Sequence, residues 1–165
     1  MRTLLRGQST AVRYKDQDFD QILSRLRQEP TATQATLLAF TGMPKLLMEI
    51  AAKELAATLG KTLYRVDLQA VSNKYIGETE KNLQHQFGRA AVSRSILFFD
   101  EADALFGERT NVRDAHDRYV DTETNYLLEM LSKHRGIIIA LFKSRSEAER
   151  RRNRVRQLIV RFPPL

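Results

Sequence analysis

Short apolar runs alternate with longer segments of helical spacing along most of this chain. Five segments are strand-sized: residues 35–41, 95–99, 136–142 and 157–162 are mostly apolar, and residues 63–68 alternate between apolar and polar side chains. The segments between them include four predicted helices, at residues 45–59, 78–92, 122–133 and 147–156. Strands that alternate with helices in this way predict a three-layer α/β domain with a mostly parallel, five-stranded sheet.

The first 34 residues are polar and mixed, unlike the rest of the chain. Their few large apolar side chains recur at helical spacing from residue 19 to residue 26, which predicts an amphipathic helix from Asp18 to about Gln28. Pro30 would end this helix, because proline cannot donate the next backbone hydrogen bond. We therefore expect an N-terminal helical arm and linker at residues 1–34 and an α/β core at residues 35–165.

Composition narrows the class of protein. The chain has 165 residues, of which 42% are hydrophobic and 28% charged, as in an ordinary globular domain. It has no cysteine, which excludes disulfides, cysteine nucleophiles and cysteine metal sites. The apolar runs fall far short of the roughly 20 residues that span a bilayer, and the start lacks a secretory signal. We expect a cytoplasmic protein with no membrane partner.

The formal net charge is +7, and arginines concentrate near the end of the sequence. Such a run can bind phosphate-rich partners through counterion release. No aromatic residues interleave with these arginines as platforms for stacked bases. A solvated helix face is the favoured interpretation, so nucleic acid is not an expected partner. The three histidines, His85, His116 and His134, are scattered and predict no metal site.

Two adjacent carboxylates follow the buried run at residues 96–99. Asp100 and Glu101 would then stand at the carboxyl edge of a parallel sheet, where ligands of open α/β sheets bind. An aspartate at this place holds Mg²⁺ in P-loop NTPases, and a neighbouring glutamate can deprotonate a water molecule. The alternative is a strand that ends in two solvated acids.

The surrounding residues favour the first interpretation, because four segments resemble the AAA+ ATPases in order and spacing. Residues 96–106 resemble the Walker B segment, and residues 63–68 resemble the second strand of that family. Residues 73–83 resemble its pore-loop region, and residues 114–119 a loop found in some bacterial members. The resemblance covers residues 35–163. It implies a P-loop NTPase-like core that binds ATP and Mg²⁺ in a homo- or hetero-oligomeric ring and remodels a polypeptide client.

The resemblance also implies roles for individual residues. Asp100 would hold Mg²⁺, Glu101 would activate water, and Gly42 and Lys45 would contact phosphate. The pore loop that grips a polypeptide would consist of Tyr75, Ile76 and Gly77. The arginine finger, which acts on the nucleotide of a neighbouring subunit, would be one of the nearest arginines before the last strand, Arg154 or Arg156.

The phosphate-binding loop departs from the family pattern G-x-x-x-x-G-K-[ST]. Gly42 and Lys45 are three positions apart, Pro44 lacks an N–H group, and Leu46 stands where a hydroxyl residue belongs. Either Lys45 is the phosphate lysine and its glycines are lost, or that lysine falls in a gap of about four residues. The tripeptide at residues 60–62, GKT, follows a helix and precedes a strand, so Gly60 is interpreted as a helix stop.

Two further departures bear on activity. Lys143 occupies the sensor 1 position, where the family has an asparagine that positions the hydrolytic water. A helical lid is not expected after the core, because the sequence ends at about the last strand. Two hypotheses follow: an ATPase impaired by its shortened loop, and a nucleotide-free, non-catalytic module for assembly or interaction. Whether the chain is an enzyme stays open.

Overall fold

The computed structural model describes residues 9–28, 35–66, 78–102, 126–127, 129–144 and 156–163. The strands are β1 (Ser9–Arg13), β2 (Thr36–Thr41), β3 (Leu63–Arg65), β4 (Ile96–Phe99), β5 (Ile137–Leu141) and β6 (Arg156–Arg161). The helices are α1 (Gln17–Gln28), α2 (Lys45–Thr58) and α3 (Glu78–Ser93). Residues 126, 127 and 129–133 are also helical.

The strands form one sheet in the order β1-β6-β2-β5-β4-β3, and every pair of neighbours is parallel. Strand β2 lies inside the sheet between β5 and β6, and all six of its residues are buried. Helices pack on both faces of the sheet, so the predicted three-layer α/β fold is confirmed.

Among the described residues the sheet has six strands, one more than the five that we predicted. Strand β1 pairs with β6 in register from Ser9 opposite Gln157 to Arg13 opposite Arg161. Its sequence is mostly polar, because an edge strand hydrogen-bonds on one side only and need not carry the apolar run of a central strand. Part of the predicted arm therefore belongs to the sheet.

Helix α1 follows β1 after a short turn, one residue earlier than predicted. Asp16 caps it, since the Phe19 N–H donates to Asp16 Oδ1 at 2.8 Å. Tyr14 fastens the turn to the core: its ring stacks on Phe162 at 4.5 Å between centroids, and its hydroxyl donates to Glu54 Oε2 of α2 at 3.0 Å. These contacts hold α1 against the sheet, where Phe19 is buried.

The two faces of the sheet bury separate apolar clusters. In β4, Ile96 and Phe98 face α1 and α2, whereas Leu97 and Phe99 face α3 and the helical residues after 126. This alternation follows from the two-residue period of a strand. It also assigns a face to Asp100, which follows Phe99 and continues the α2 side. We call the two groups of buried side chains the α2-side cluster and the α3-side cluster.

Helix α2 ends as predicted. Gly60 has a φ of +66° and follows the last helical turn, and the Lys61 N–H donates to the Ala56 carbonyl at 2.8 Å. This pattern is the Schellman termination, for which glycine is favoured. The segment at residues 60–62 thus lies at the amino end of β3, at the edge of the sheet opposite to the carboxyl ends of the strands.

The turn from β2 to α2 consists of three residues, Gly42, Met43 and Pro44. Gly42 has a φ of +101°, and a Cβ atom there would lie 2.9 Å from the Phe162 carbonyl oxygen. Met43 packs against the α2-side cluster. The turn is therefore tight, and its backbone is pressed against the end of β6.

Some predicted segments lie outside the described residues. They are the polar connection at residues 107–121 and most of the last predicted helix. Within the described ranges, no helix combines the length and hydropathy needed to cross a bilayer. The division into an arm at residues 1–34 and a core stays a prediction.

We expect Gly42→Ala to lower the free energy of unfolding by about 3 kcal/mol, because it adds a Cβ clash to a strained φ. Gly60→Ala is the matched control: its φ is also positive, but nothing lies within 4 Å of the added atom. The control should cost about 1–2 kcal/mol. Urea denaturation of the three proteins measures both values. If both variants lost the same free energy of unfolding, the close approach of Phe162 would not be what requires glycine at position 42.

Burial of His134 predicts a pH dependence of stability. The side chain packs edge-on against Phe87 with centroids 5.8 Å apart, and its Nε2 has no hydrogen-bond partner among the described atoms. Burial lowers the pKa of His134 from its usual 6.5. The imidazole therefore takes up a proton more readily in the unfolded chain than in the folded protein. The free energy of unfolding should be highest above pH 6.5 and should fall as the pH drops below that value.

The measurement is urea denaturation between pH 7.5 and pH 5 of the parent protein and of His134→Leu. We expect the variant to lose less stability than the parent on acidification. His85→Gln, which removes an exposed histidine of α3, is the control. The prediction would be contradicted if His134→Leu lost as much free energy of unfolding on acidification as the parent does.

Candidate functional site

The carboxyl ends of β2, β4 and β5 meet at one edge of the sheet and border an open cavity of about 610 Å³. In a parallel α/β sheet this edge is the usual place for a ligand. The lining residues come from the turn and first helical turn after β2, from the end of β4 and from the end of β5: Met43, Pro44, Lys45, Met48, Asp100, Glu101, Leu141, Phe142 and Lys143. The cavity thus brings together four of the predicted site residues.

Lys45 is the first residue of α2 and contacts both predicted acids. Its Nζ lies 3.2 Å from Glu101 Oε1 and 3.4 Å from Asp100 Oδ2. The hydrogen bond to Glu101, aided by the charge of Asp100, raises the pKa of Lys45, so the amine stays protonated at neutral pH. About half of its side chain is exposed, so these ion pairs contribute little to stability.

Arg65 also belongs to this site, and the sequence analysis missed it. Its Nη1 lies 2.6 Å from Asp100 Oδ2, and its Nη2 lies 2.6 Å from Glu49 Oε1 of α2. The guanidinium is also 5.3 Å from the centroid of the Phe98 ring. The signal that could have found Arg65 is its place at the end of β3, level with Phe98 of β4. That register was not known from the sequence.

Glu49 was also missed as a site residue. It follows Lys45 by four positions, so both side chains lie on one face of α2. Only 17% of its side chain is exposed, compared with 21% for Asp100. Three carboxylates and two cations therefore form one connected network, which runs from Glu49 through Arg65, Asp100 and Lys45 to Glu101. We call these five side chains the charge network.

Other predicted site residues have different positions. Gly42 begins the turn beside the cavity, and Lys143 lines the cavity after β5. Arg156 starts β6 opposite Thr36, so its backbone lies at the amino end of the strands, away from the cavity of the same chain. Arg154 and the predicted pore loop of Tyr75, Ile76 and Gly77 lie outside the described residues.

The turn after β2 does not fit the phosphates of ATP. A P-loop curls successive backbone N–H groups around them, but here three residues connect the strand to the helix, and Pro44 lacks the donor. The side chain of Met43 packs into the α2-side cluster, and Leu46, where a hydroxyl is required, is an exposed apolar side chain. Helix α2 begins without a side-chain cap, which leaves only its own amides for an anion.

The acids do not fit Mg²⁺ either. Asp100, the implied ligand, shares its Oδ2 with Arg65 and Lys45. Among the described residues, no three metal-ligating side chains converge on a point.

The sequence resembles those of known proteins. The family described as "ATPase family associated with various cellular activities (AAA)" matches residues 40–160. The uncharacterized AAA family ATPase y4kL of Sinorhizobium fredii is 38% identical over 117 residues, which cover 70% of this chain and 34% of that protein. Spastin of Ixodes scapularis is 30% identical over 120 residues, covering 72% of this chain and 17% of spastin.

A third relative, the ATPase family gene 2 protein of Saccharomyces cerevisiae, is 29% identical over 107 residues, covering 64% of this chain and 14% of that protein. The chain thus spans about a third of the length of the Sinorhizobium relative and a smaller share of the other two. The family match runs from Phe40 in β2 to Val160 in β6 and includes the turn and both acids. Since that match covers well over half of the sequence, the chain belongs to the AAA family of ATPases.

Proposed function

We propose that this chain is an AAA core that has lost most or all ATP chemistry and serves as a non-catalytic module for assembly or interaction. The observation that carries the proposal is the three-residue turn between β2 and α2. Family membership implies nucleotide use, and this turn is the part of the fold that would have to hold the nucleotide.

The turn supports loss of binding because it has too few donors. Of its residues only Gly42 and Met43 have N–H groups, and Gly42 is pressed against Phe162. A full loop supplies several amides, a lysine and a hydroxyl together. Losing one preorganised donor of this kind costs about 10²–10³ in rate. Losing several at once would bring turnover close to background.

The residues that should perform hydrolysis also have other partners. Lys45 is ion-paired with Asp100 and Glu101, so phosphate would have to compete with two carboxylates for it. Glu101 would have to release Lys45 before it could act as a base. Lys143 stands at the sensor 1 position, and a charged lysine cannot accept a hydrogen bond from the hydrolytic water.

An ATPase is the second candidate, and the cavity favours it. Lys45, Asp100, Glu101 and Lys143 all line one space of about 610 Å³, at the edge of the sheet where nucleotides bind. In that case Asp100 would hold Mg²⁺ and Glu101 would activate water. A ring assembly, an arginine finger at Arg154 or Arg156, a pore loop at residues 75–77 and a polypeptide client would complete the activity.

Repair of the turn tests the proposal. The variant replaces Met43 and Pro44 by five residues that complete the G-x-x-x-x-G-K spacing before Lys45, and it carries Leu46→Thr. We expect the parent to show no saturable ATP binding up to about 1 mM, and the repaired chain to bind at least about tenfold more tightly in the presence of Mg²⁺. Titration of a fluorescent ATP analogue measures both affinities.

The matched control is the repaired chain with Lys45→Ala, which has the longer loop but lacks the phosphate lysine. It should lose the affinity that the repair restores. Micromolar, Mg²⁺-dependent binding by the parent would overturn the proposal and favour the ATPase. In that event, a loss of turnover in Glu101→Gln would identify the base.

A further inference from the structure

The guanidinium of Arg65 bridges the carboxylates of Asp100 and Glu49, and of the two only Asp100 has a second ion-pair partner in the charge network, Lys45. One nitrogen contacts Asp100 and the other contacts Glu49, both at 2.6 Å. Both are short contacts, and charge-assisted hydrogen bonds are shorter and stronger than neutral ones. Both carboxylates are mostly shielded from solvent, so the charge of Arg65 is not easily replaced by water.

The sheet holds Arg65 in place for this role. Arg65 is opposite Phe98 in the β3–β4 register, and Asp100 follows two residues later on the same face. The Phe98 ring supports the guanidinium at 5.3 Å, a distance typical of a cation–π contact. The arginine is therefore fixed by an aromatic ring and by two carboxylates from different elements.

Charge balance leaves little attraction for a further cation. The three carboxylates of the charge network face two cations, Lys45 and Arg65, which leaves one negative charge in excess. A divalent ion beside Asp100 would stand close to both cations and be repelled by them. It would also have to displace at least one of the contacts on Asp100 Oδ2.

We propose that Arg65 is the resident cation of this site: its guanidinium holds Asp100 and Glu49 in the place of a metal ion, so the site needs no divalent cation. The inference rests on the proposed function and explains how the fold retains Asp100 after metal chemistry is lost. It assigns a structural role to a carboxylate that the family uses as a ligand. Removal of the guanidinium should therefore free the two carboxylates, which can hold a hydrated divalent ion between them.

The experiment compares the melting temperature of the nucleotide-free chain with and without Mn²⁺ or Mg²⁺ at constant ionic strength. The parent should be insensitive to either ion. Arg65→Leu should melt at a lower temperature, and Mn²⁺ at ten times its Kd should raise that temperature by about 3–6 °C. The double variant Arg65→Leu with Asp100→Asn should show no such rise.

The matched control is Lys133→Leu, which removes the cation of another ion pair, 2.6 Å long and exposed, that lies outside the charge network. It should show no response to metal. Calorimetric titration of Mn²⁺ into the parent tests the inference even if Arg65→Leu does not fold. Binding to the parent with a Kd below about 1 mM would overturn it, as would a folded Arg65→Leu without any metal response.

The two proposals can fail separately, because this experiment contains no nucleotide. Metal binding by the parent without ATP would overturn the role of Arg65 and leave the defective turn as the reason for lost nucleotide binding. If the parent binds ATP tightly but does not bind a divalent metal ion, the proposed function is overturned and the role of Arg65 is not.

Discussion

Strand β2 is hydrogen-bonded on both sides, to β5 and to β6, and its six side chains are all buried. The position of the turn that borders the site follows from this pairing. It fixes where β2 ends, at Thr41, and so fixes the place from which the chain must reach the first turn of α2. The Phe162 N–H bonds to the Thr41 carbonyl at 3.0 Å and closes the end of β6 against it. Little room is left for Gly42 and the residues after it.

The charge network depends on the pairing of β3 with β4 and on the place where α2 begins. Asp100 continues β4 on the α2 side, and the register of β3 places Arg65 beside it. Helix α2 starts directly after the short turn, which places Lys45 and Glu49 over the same edge of the sheet. A shielded carboxylate at this edge must have a counter-charge, since an unpaired one would be costly. In this chain two side chains supply that charge, and both come from elements that the sheet itself positions.

Much of the fold could be predicted from the sequence because its signals are local. The apolar runs of β2, β4 and β5 are continuous, and Gly60 marks the end of α2 directly. Strand β1 could not be predicted, because most of its residues are polar and only pairing with β6, more than a hundred residues away, makes them a strand. Arg65 and Glu49 were missed for the same reason. Their roles depend on strand register and on helix orientation, which a single sequence does not reveal.

The separation of stability from chemistry explains how an AAA core can fold with a three-residue turn after β2. The two apolar clusters are built mostly from the faces of the strands and helices. A short turn after β2 therefore leaves both apolar clusters in place. Met43 even adds a contact, because its side chain packs into the α2-side cluster. Fold and function rest on different residues. The family match therefore establishes the fold, whereas function has to be argued from the residues of the site. In that site, the sheet places Asp100 where its charge must be balanced, and Arg65 and Lys45 balance it.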